Sequence, residues 1–375
     1  MKKEKVLMVL YDRLERGGVQ NVIMQIVKAL SDRYTFDIVV FDSEPSYYDE
    51  EFENYGGKIF RFGRFDKHSS FHARADYYLR AGYVYRNVLH VLKYEGPYVA
   101  IHCHNVHESG LCVLAGKKAG VPVRISHTHT SYEDRGNIVY RIYNRFYLYL
   151  IREYATHRVG CSSMALERTF KSSDGLVIGN SVNLSQFASA EAAETSETDN
   201  TINLLQVGIF SPNKNQIFSL EITNALIQRG VNAKLTLFGR RSTSDTTGYY
   251  FKVQDYVRTL KLEKNVHFVS GYGNVPETMK KNMFLLFPSV REGFGIVAIE
   301  AQAAGLHCFV SDTVPCDIDC GGCTYLPLEL GAQAWADVIM RWYGENKDIP
   351  QNYDCSAFEE SKIMEKYEQI YEGLA

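Results

Sequence analysis

The chain has 375 residues, 45% of them hydrophobic and 23% charged, with a formal net charge of -3. That length supports two domains, each with a core of its own, and the near-neutral balance excludes a protein steered to nucleic acid by global charge. No apolar run reaches the roughly 18 to 20 residues of a membrane span. The opening Met1-Lys2-Lys3-Glu4-Lys5 leads into a short run, Val6 to Leu10, that reads as a strand rather than a signal peptide, so a cytoplasmic location is expected.

In chain order, short apolar runs at Lys5 to Leu10, Phe36 to Phe41, Lys58 to Phe62, Val99 to His104, Val123 to Thr128, Arg158 to Cys161 and Leu176 to Ile178 predict buried strands. Helical segments such as Val19 to Leu30 and Ser109 to Ala119 separate several of them, which is the pattern of a doubly wound parallel sheet. Residues 1–188 are read as a first Rossmann-like domain. The stretch 189–201, Ser-Ala-Glu-Ala-Ala-Glu-Thr-Ser-Glu-Thr-Asp-Asn-Thr, has no large apolar residue to bury and reads as a linker.

The alternation restarts with strands predicted at Ile202 to Val207, Ala233 to Phe238, Val266 to Val269, Met283 to Phe287, Cys308 to Val310 and Thr324 to Leu326, and helices including Gln216 to Gln228 and Phe251 to Leu260. Residues 202–355 therefore form a second Rossmann-like domain. In 356–375, Ile363, Met364, Tyr367, Ile370 and Tyr371 recur at helical spacing and predict a terminal helix packing back toward the first domain. The fold class is α/β, with two Rossmann-like domains expected to face each other across a cleft.

Eight cysteines are dispersed along the chain. Cys103, Cys112, Cys161 and Cys308 lie in apolar runs and read as reduced core residues. Cys316, Cys320 and Cys323 match a C-x3-C-x2-C cluster spacing, but only some fifty residues follow them, too few for the barrel that such a cluster opens.

The most informative stretch is Arg291-Glu292-Gly293-Phe294-Gly295-Ile296-Val297-Ala298-Ile299-Glu300, which follows a strand closed by Pro288 and Ser289 and opens a helix. Unpaired amides at a helix start point outward with the positive end of its dipole, so the backbone of Phe294, Gly295 and Ile296 suits a phosphate oxygen, and glycine lets that oxygen approach. Glu292 in the loop and Glu300 in the helix flank an extended ligand whose hydroxyls donate to carboxylates.

These residues, with Val207-Gly208-Ile209-Phe210-Ser211-Pro212-Asn213-Lys214-Asn215, Gly271-Tyr272-Gly273-Asn274-Val275-Pro276, Val310-Ser311-Asp312, Gly17-Gly18-Val19-Gln20, His102-Cys103-His104-Asn105 and Pro122 through Ser126-His127-Thr128-His129, resemble the GT-B-fold retaining glycosyltransferases of family 4 that serve bacterial capsule and exopolysaccharide pathways. The resemblance covers nearly the whole chain. It implies transfer of a hexosyl unit, with retention, from a nucleotide sugar, a UDP-sugar being the expected one, to a saccharide or lipid-linked saccharide. It further implies a donor held by the second domain, with Glu300 on the ribose, Glu292 on the sugar and Lys214 on the diphosphate. Gly17, Gly18, Gly208, Gly293 and the amides of Phe294, Gly295 and Ile296 would lie at the phosphates, and His127 or His129 at the donor sugar. His127 is favoured slightly.

Family members usually dispense with a bound metal, and no His/Asp cluster at metal spacing stands in the sequence. His102, His104 and His107 read as structural residues capping strand ends or exposed to solvent. One departure from the pattern is Ile209, where the family usually carries an arginine beside the lysine; Arg240 or Arg241 is the expected replacement. Arginines 135, 141, 145, 152 and 158 interleave with tyrosines 140, 143, 147, 149 and 154, a mixture suited either to anionic lipid or to a helix burying its aromatic face, and 60–86 has a similar mix. A nucleotide-sugar epimerase on the same fold and a catalytically degenerate sugar-nucleotide-binding protein are the alternatives, the latter motivated by Ile209.

Overall fold

The structure, a computed structural model, describes residues 3–63, 73–104, 106, 108–130, 138–188, 201–241, 247–270 and 274–374, with the backbone alone at 73–80 and 139–140. Most of the linker, Asn105, His107, Arg135 and the Gly271-Tyr272-Gly273 block lie outside the described residues. Two compact units are present, one of Met1–Ser181 with Glu360–Ala375 and one of Val182–Glu359.

The first unit contains strands β1 (Glu4–Leu10), β2 (Tyr34–Val40), β3 (Ile59–Arg61), β4 (Ala100–Cys103), β5 (Val123–Thr128), β6 (His157–Gly160) and β7 (Leu176–Val177), in spatial order β3-β2-β1-β4-β5-β6-β7. Every pairing is parallel. Both faces of such a sheet must be covered, and β1 shows how its continuous apolar run serves both. Val6 and Met8 pack with Val22, Ile23 and Val27 of helix Gly18–Leu30 and with Ile363, Tyr367 and Ile370 of helix Glu360–Tyr371. Leu7 and Val9 pack with Val84, Val88, Cys112 and Val113 on the other face.

The second unit contains β8 (Ile202–Val207), β9 (Ala233–Phe238), β10 (Val266–Val269), β11 (Phe284–Phe287), β12 (His307–Ser311) and β13 (Cys323–Leu326), ordered β10-β9-β8-β11-β12-β13 and again wholly parallel. Its largest buried side chain, Trp335, is fully enclosed and donates its indole N–H to the Pro327 carbonyl at 3.0 Å. In both sheets the strand order reverses at one point, β1/β4 in the first and β8/β11 in the second. The crevice beyond the carboxyl ends of those strands is where doubly wound sheets place ligands.

Residues 182–188, expected in the first domain, belong to the second unit. The Val182 N–H donates to the Phe358 carbonyl at 2.9 Å, Val182 pairs with Glu359, and the short helix Ser185–Ala188 packs against helix Ile296–Ala303. The chain thus leaves the first unit after Ser181 and re-enters it at Glu360, through neighbouring backbone.

Helix Ile138–Tyr154 resolves the arginine and tyrosine mixture in part. Tyr147, Leu150 and Ile151 are buried, whereas Arg141, Arg145 and Arg152 are exposed. Arg158 lies in β6, where it pairs with Asp174. Among the described residues no helix is long and apolar enough to cross a membrane.

Candidate active site

At the β8/β11 crevice two loops are stitched together. The Val290 N–H donates to the Asn213 carbonyl at 2.8 Å, and Asn213 Nδ2 donates to the Arg291 carbonyl at 2.7 Å. The first loop keeps its shape because Gln206 Nε2 donates to the Lys214 carbonyl at 2.6 Å and Gln216 Nε2 to the Ile209 carbonyl at 3.1 Å. These bonds set Lys214 opposite Glu292, with Nζ to Oε1 at 2.6 Å and side-chain exposures of 23% and 13%. The lysine also lies 5.1 Å from the centre of the Phe287 ring, within cation–π range.

Three glycines make this geometry available. Gly208 has φ of 150°, and the backbone of Gly239 approaches it so closely that a Cβ at Gly239 would fall 1.9 Å from the Gly208 carbonyl oxygen. Gly295, at φ of 119°, precedes helix Ile296–Ala303 and offers no side-chain cap to its first-turn amides. Those amides are available to an anion, as the sequence pattern suggests. Phe294 is buried, edge-on to Phe358, and anchors the loop.

Glu300 stands about one turn down that helix and lines a cavity of about 620 Å3 with Gln186, Phe187, Asn274, Pro276 and Lys280. Burial pushes its carboxyl up to about 7. Phe187 and Gln186 escaped the sequence reading because their helix, Ser185–Ala188, is only four residues long and lies beyond the apparent end of the first domain. Near Ile209, which is 40% exposed, the Phe210 N–H donates to the Arg240 carbonyl at 3.1 Å. The Arg241 guanidinium lies over the Phe251 ring at 4.6 Å.

In the first unit, Gly17 is the extended residue preceding helix Gly18–Leu30, again without a side-chain cap, and a Cβ at Gly18 would meet open space. The histidines correct the sequence reading. His102 pairs in register with Ile125, which sets His102 and His104 beside His127 and His129 on one face of the sheet. His102 and His104 are buried partners in a network, not exposed strand caps. His102 Nδ1 meets the Tyr371 hydroxyl at 2.8 Å and its Nε2 meets His127 Nδ1 at 3.1 Å, while His104 Nδ1 meets His129 Nε2 at 2.9 Å. Burial pushes His102 down to about 3 and His129 down to about 4, and holds His104 and His127 well below the usual imidazole range. All four are neutral at physiological pH. His127 is fully buried, whereas His129, just past the carboxyl end of β5, keeps some exposure.

One ring nitrogen from each of His102, His104 and His127 lies within 4.8 Å of the others. A cluster at metal spacing therefore exists where the sequence shows none, because i, i+2 histidines on two separate strands meet only once the register is known. The cysteine spacing gives no comparable group among the described residues, with Cys316 exposed and Cys320 and Cys323 half-buried.

Comparison with known proteins agrees with this architecture. The Glycosyltransferase Family 4 profile matches residues 16–186, and Glycosyl transferases group 1 matches 189–317. The chain is 27% identical to EpsF of Bacillus subtilis (strain 168) over 354 residues, 90% of this chain and 88% of that one. It is 23% identical to the capsular polysaccharide biosynthesis glycosyltransferase CapH of Staphylococcus aureus, over 97% of this chain and 98% of that one. Anabaena Alr3699/HepE, crystallised in complex with UDP, superposes with a TM-score of 0.76 at 15% identity, covering 99% of this chain and all of that one. Two wholly parallel α/β units with ligand-ready loops at each switch point are the GT-B fold, and the chain belongs to glycosyltransferase family 4. It is a glycosyltransferase.

The raised Glu300 carboxyl has a consequence for stability. A carboxyl raised on folding stabilises the folded state below its unfolded value, and that contribution is lost as pH rises through the folded value. Unfolding free energy of the wild type is therefore expected to fall, relative to Glu300→Gln, across the window from 4.5 to about 7. The difference is on the order of 3 kcal/mol, read by urea denaturation. Parallel pH profiles for the two proteins would contradict the burial of this group.

Proposed function

We propose that the protein transfers a hexosyl unit, with retention, from a UDP-sugar to a saccharide or lipid-linked saccharide in surface polysaccharide biosynthesis. The observation that carries this reading is the Lys214–Glu292 pair beside the uncapped helix start at Gly295. Lys214 and the amides of Phe294, Gly295 and Ile296 bind the diphosphate, Glu292 contacts the donor sugar, and Glu300 accepts from the ribose hydroxyls in its cavity, with Phe187 against the base. Gly208 and Gly293 keep the two loops narrow enough for the phosphates. The UDP bound by HepE and the capsular role in the name of CapH support the choice of donor and pathway.

In this scheme the bond from the anomeric carbon to the diphosphate oxygen breaks, and a bond from the acceptor oxygen to that carbon forms on the same face. The acceptor proton leaves with the diphosphate or to solvent. Negative charge grows on the departing oxygen, and fixed donors there lower the barrier. Lysine and helix amides supply them, so no metal is required at the donor. The first unit takes the acceptor side, where Gly17 and Gly18 offer backbone donors. His127 or His129 is the candidate contact to the donor sugar, His129 being the more exposed of the two.

Incubation with a panel of nucleotide sugars and a diphospholipid-linked saccharide is expected to release UDP and extend the acceptor. Arg240→Ala or Arg241→Ala is expected to slow release about tenfold or more, since a charge-assisted contact to phosphate is lost. An altered sugar with its diphosphate intact, or binding without turnover, would overturn the transfer reading. Wild-type rates in both single variants and the double variant would overturn the arginine assignment alone.

The acceptor side is further proposed to rest on a membrane surface. Ile138, Ile142, Phe146 and Tyr149 are 69%, 59%, 49% and 57% exposed. They fall at i, i+4, i+8 and i+11 on one helix, an apolar stripe flanked by Arg141, Arg145 and Arg152. Apolar side chains with arginines beside them suit the headgroup region of anionic lipid. The protein is expected to float with anionic vesicles at low salt, and an Ile142→Asp, Phe146→Asp double variant to stay behind. Flotation equal in both proteins, or in neither, would contradict this placement.

A further inference from the structure

Four imidazoles meet at the carboxyl ends of β4 and β5. His102 Nε2 and His127 Nδ1 stand 3.1 Å apart, close to the edge of about 3.4 Å that separates two nitrogens bound tetrahedrally at 2.0–2.1 Å from zinc. A nitrogen of His104 completes a triangle within 4.8 Å. The outer nitrogens of two of these rings are held, as those of metal-binding histidines usually are. Tyr371 takes His102 Nδ1 at 2.8 Å, and His129 takes His104 Nδ1 at 2.9 Å.

Hydrogen bonding within the cluster leaves a deficit. His104 Nε2, His127 Nε2, His129 Nδ1 and the Tyr367 hydroxyl are buried without a hydrogen-bond partner. Buried polar groups are nearly always satisfied, and the orphaned Nε2 of His104, whose Nδ1 is already held by His129, points to an occupant. The Tyr367 ring lies 5.8 Å from His102 and 6.0 Å from His127. Neutral imidazoles in a carboxylate-free setting select a borderline transition ion such as zinc or cobalt over magnesium or calcium.

We propose that His102, His104 and His127 bind one divalent transition-metal ion of the zinc class in the first unit, with a fourth position open to water. With the ion on His104 Nε2, the remaining proton sits on Nδ1 and donates to His129 Nε2. His129 then carries its own proton on Nδ1. With the ion on His102 Nε2, Nδ1–H donates to the Tyr371 oxygen and ties the terminal helix to the sheet. The test of this site does not depend on transfer.

The full chain, carrying no polyhistidine tag, is stripped with chelator and titrated with cobalt. One equivalent is expected to produce the visible bands of tetrahedral cobalt, displaced by zinc. His104→Ala and His102→Phe are expected to abolish the bands while His267→Ala, at an exposed site, keeps them. Tyr371→Phe, which removes only the outer hydrogen bond, is expected to weaken cobalt binding about 10–100-fold and keeps the test open should a histidine variant fail to fold. The absence of saturable bands would overturn the proposal and leave ordered water as the occupant. Bands that survive His104→Ala and His102→Phe, or wild-type affinity in Tyr371→Phe, would overturn it equally.

Discussion

The ion pair between Lys214 and Glu292 is the constraint around which the second unit is arranged. It joins the ends of two adjacent strands, 78 residues apart in sequence, at the one point where the strand order reverses. A lysine held at 2.6 Å from a carboxylate, with most of both side chains withdrawn from water, has already given up its mobility and much of its hydration. In the proposed donor site an arriving diphosphate would compete with the Glu292 carboxylate for a cation that is in position, rather than order a free side chain. Asn213, Gln206 and Gln216 hold the loop backbone, and the close passage of Gly208 and Gly239 leaves no room for any other residue at that crossing.

Much of this was legible in the amino-acid sequence. Parallel strands buried on both faces read as continuous apolar runs, so every strand of both sheets was visible in advance, and Glu292 and Glu300 stood out because a glycine pair before a helix has few other uses. Three features were not legible, for one reason. The Lys214–Glu292 pair, the placing of Gln186 and Phe187 beside Glu300, and the meeting of four histidines all depend on which strand or loop lies beside which. A one-residue change of register would turn His127 to the other face of its sheet. The boundary at Ser181 was hidden for a related reason, since composition marks the linker but not the backbone pairing of Val182 with Glu359.

Ile209 is where the chain departs from its family's usual pattern. Its 40% exposure leaves the position beside Lys214 without a cation, although the loop keeps its hydrogen bonds. The backbone of Arg240 and Arg241 runs alongside, with Arg241 resting on Phe251. In the proposed donor site the electrostatic load on Lys214 would be correspondingly larger than in a site with both cations in one loop.

The most direct test of that load is calorimetric titration of UDP into the wild type, Lys214→Met and Glu292→Gln. Lys214→Met is predicted to lose at least about tenfold in affinity, some 1.4 kcal/mol. Glu292→Gln, which frees the lysine from its partner, is predicted to bind UDP as tightly as the wild type or more so. UDP binding by Lys214→Met at wild-type strength would contradict the account.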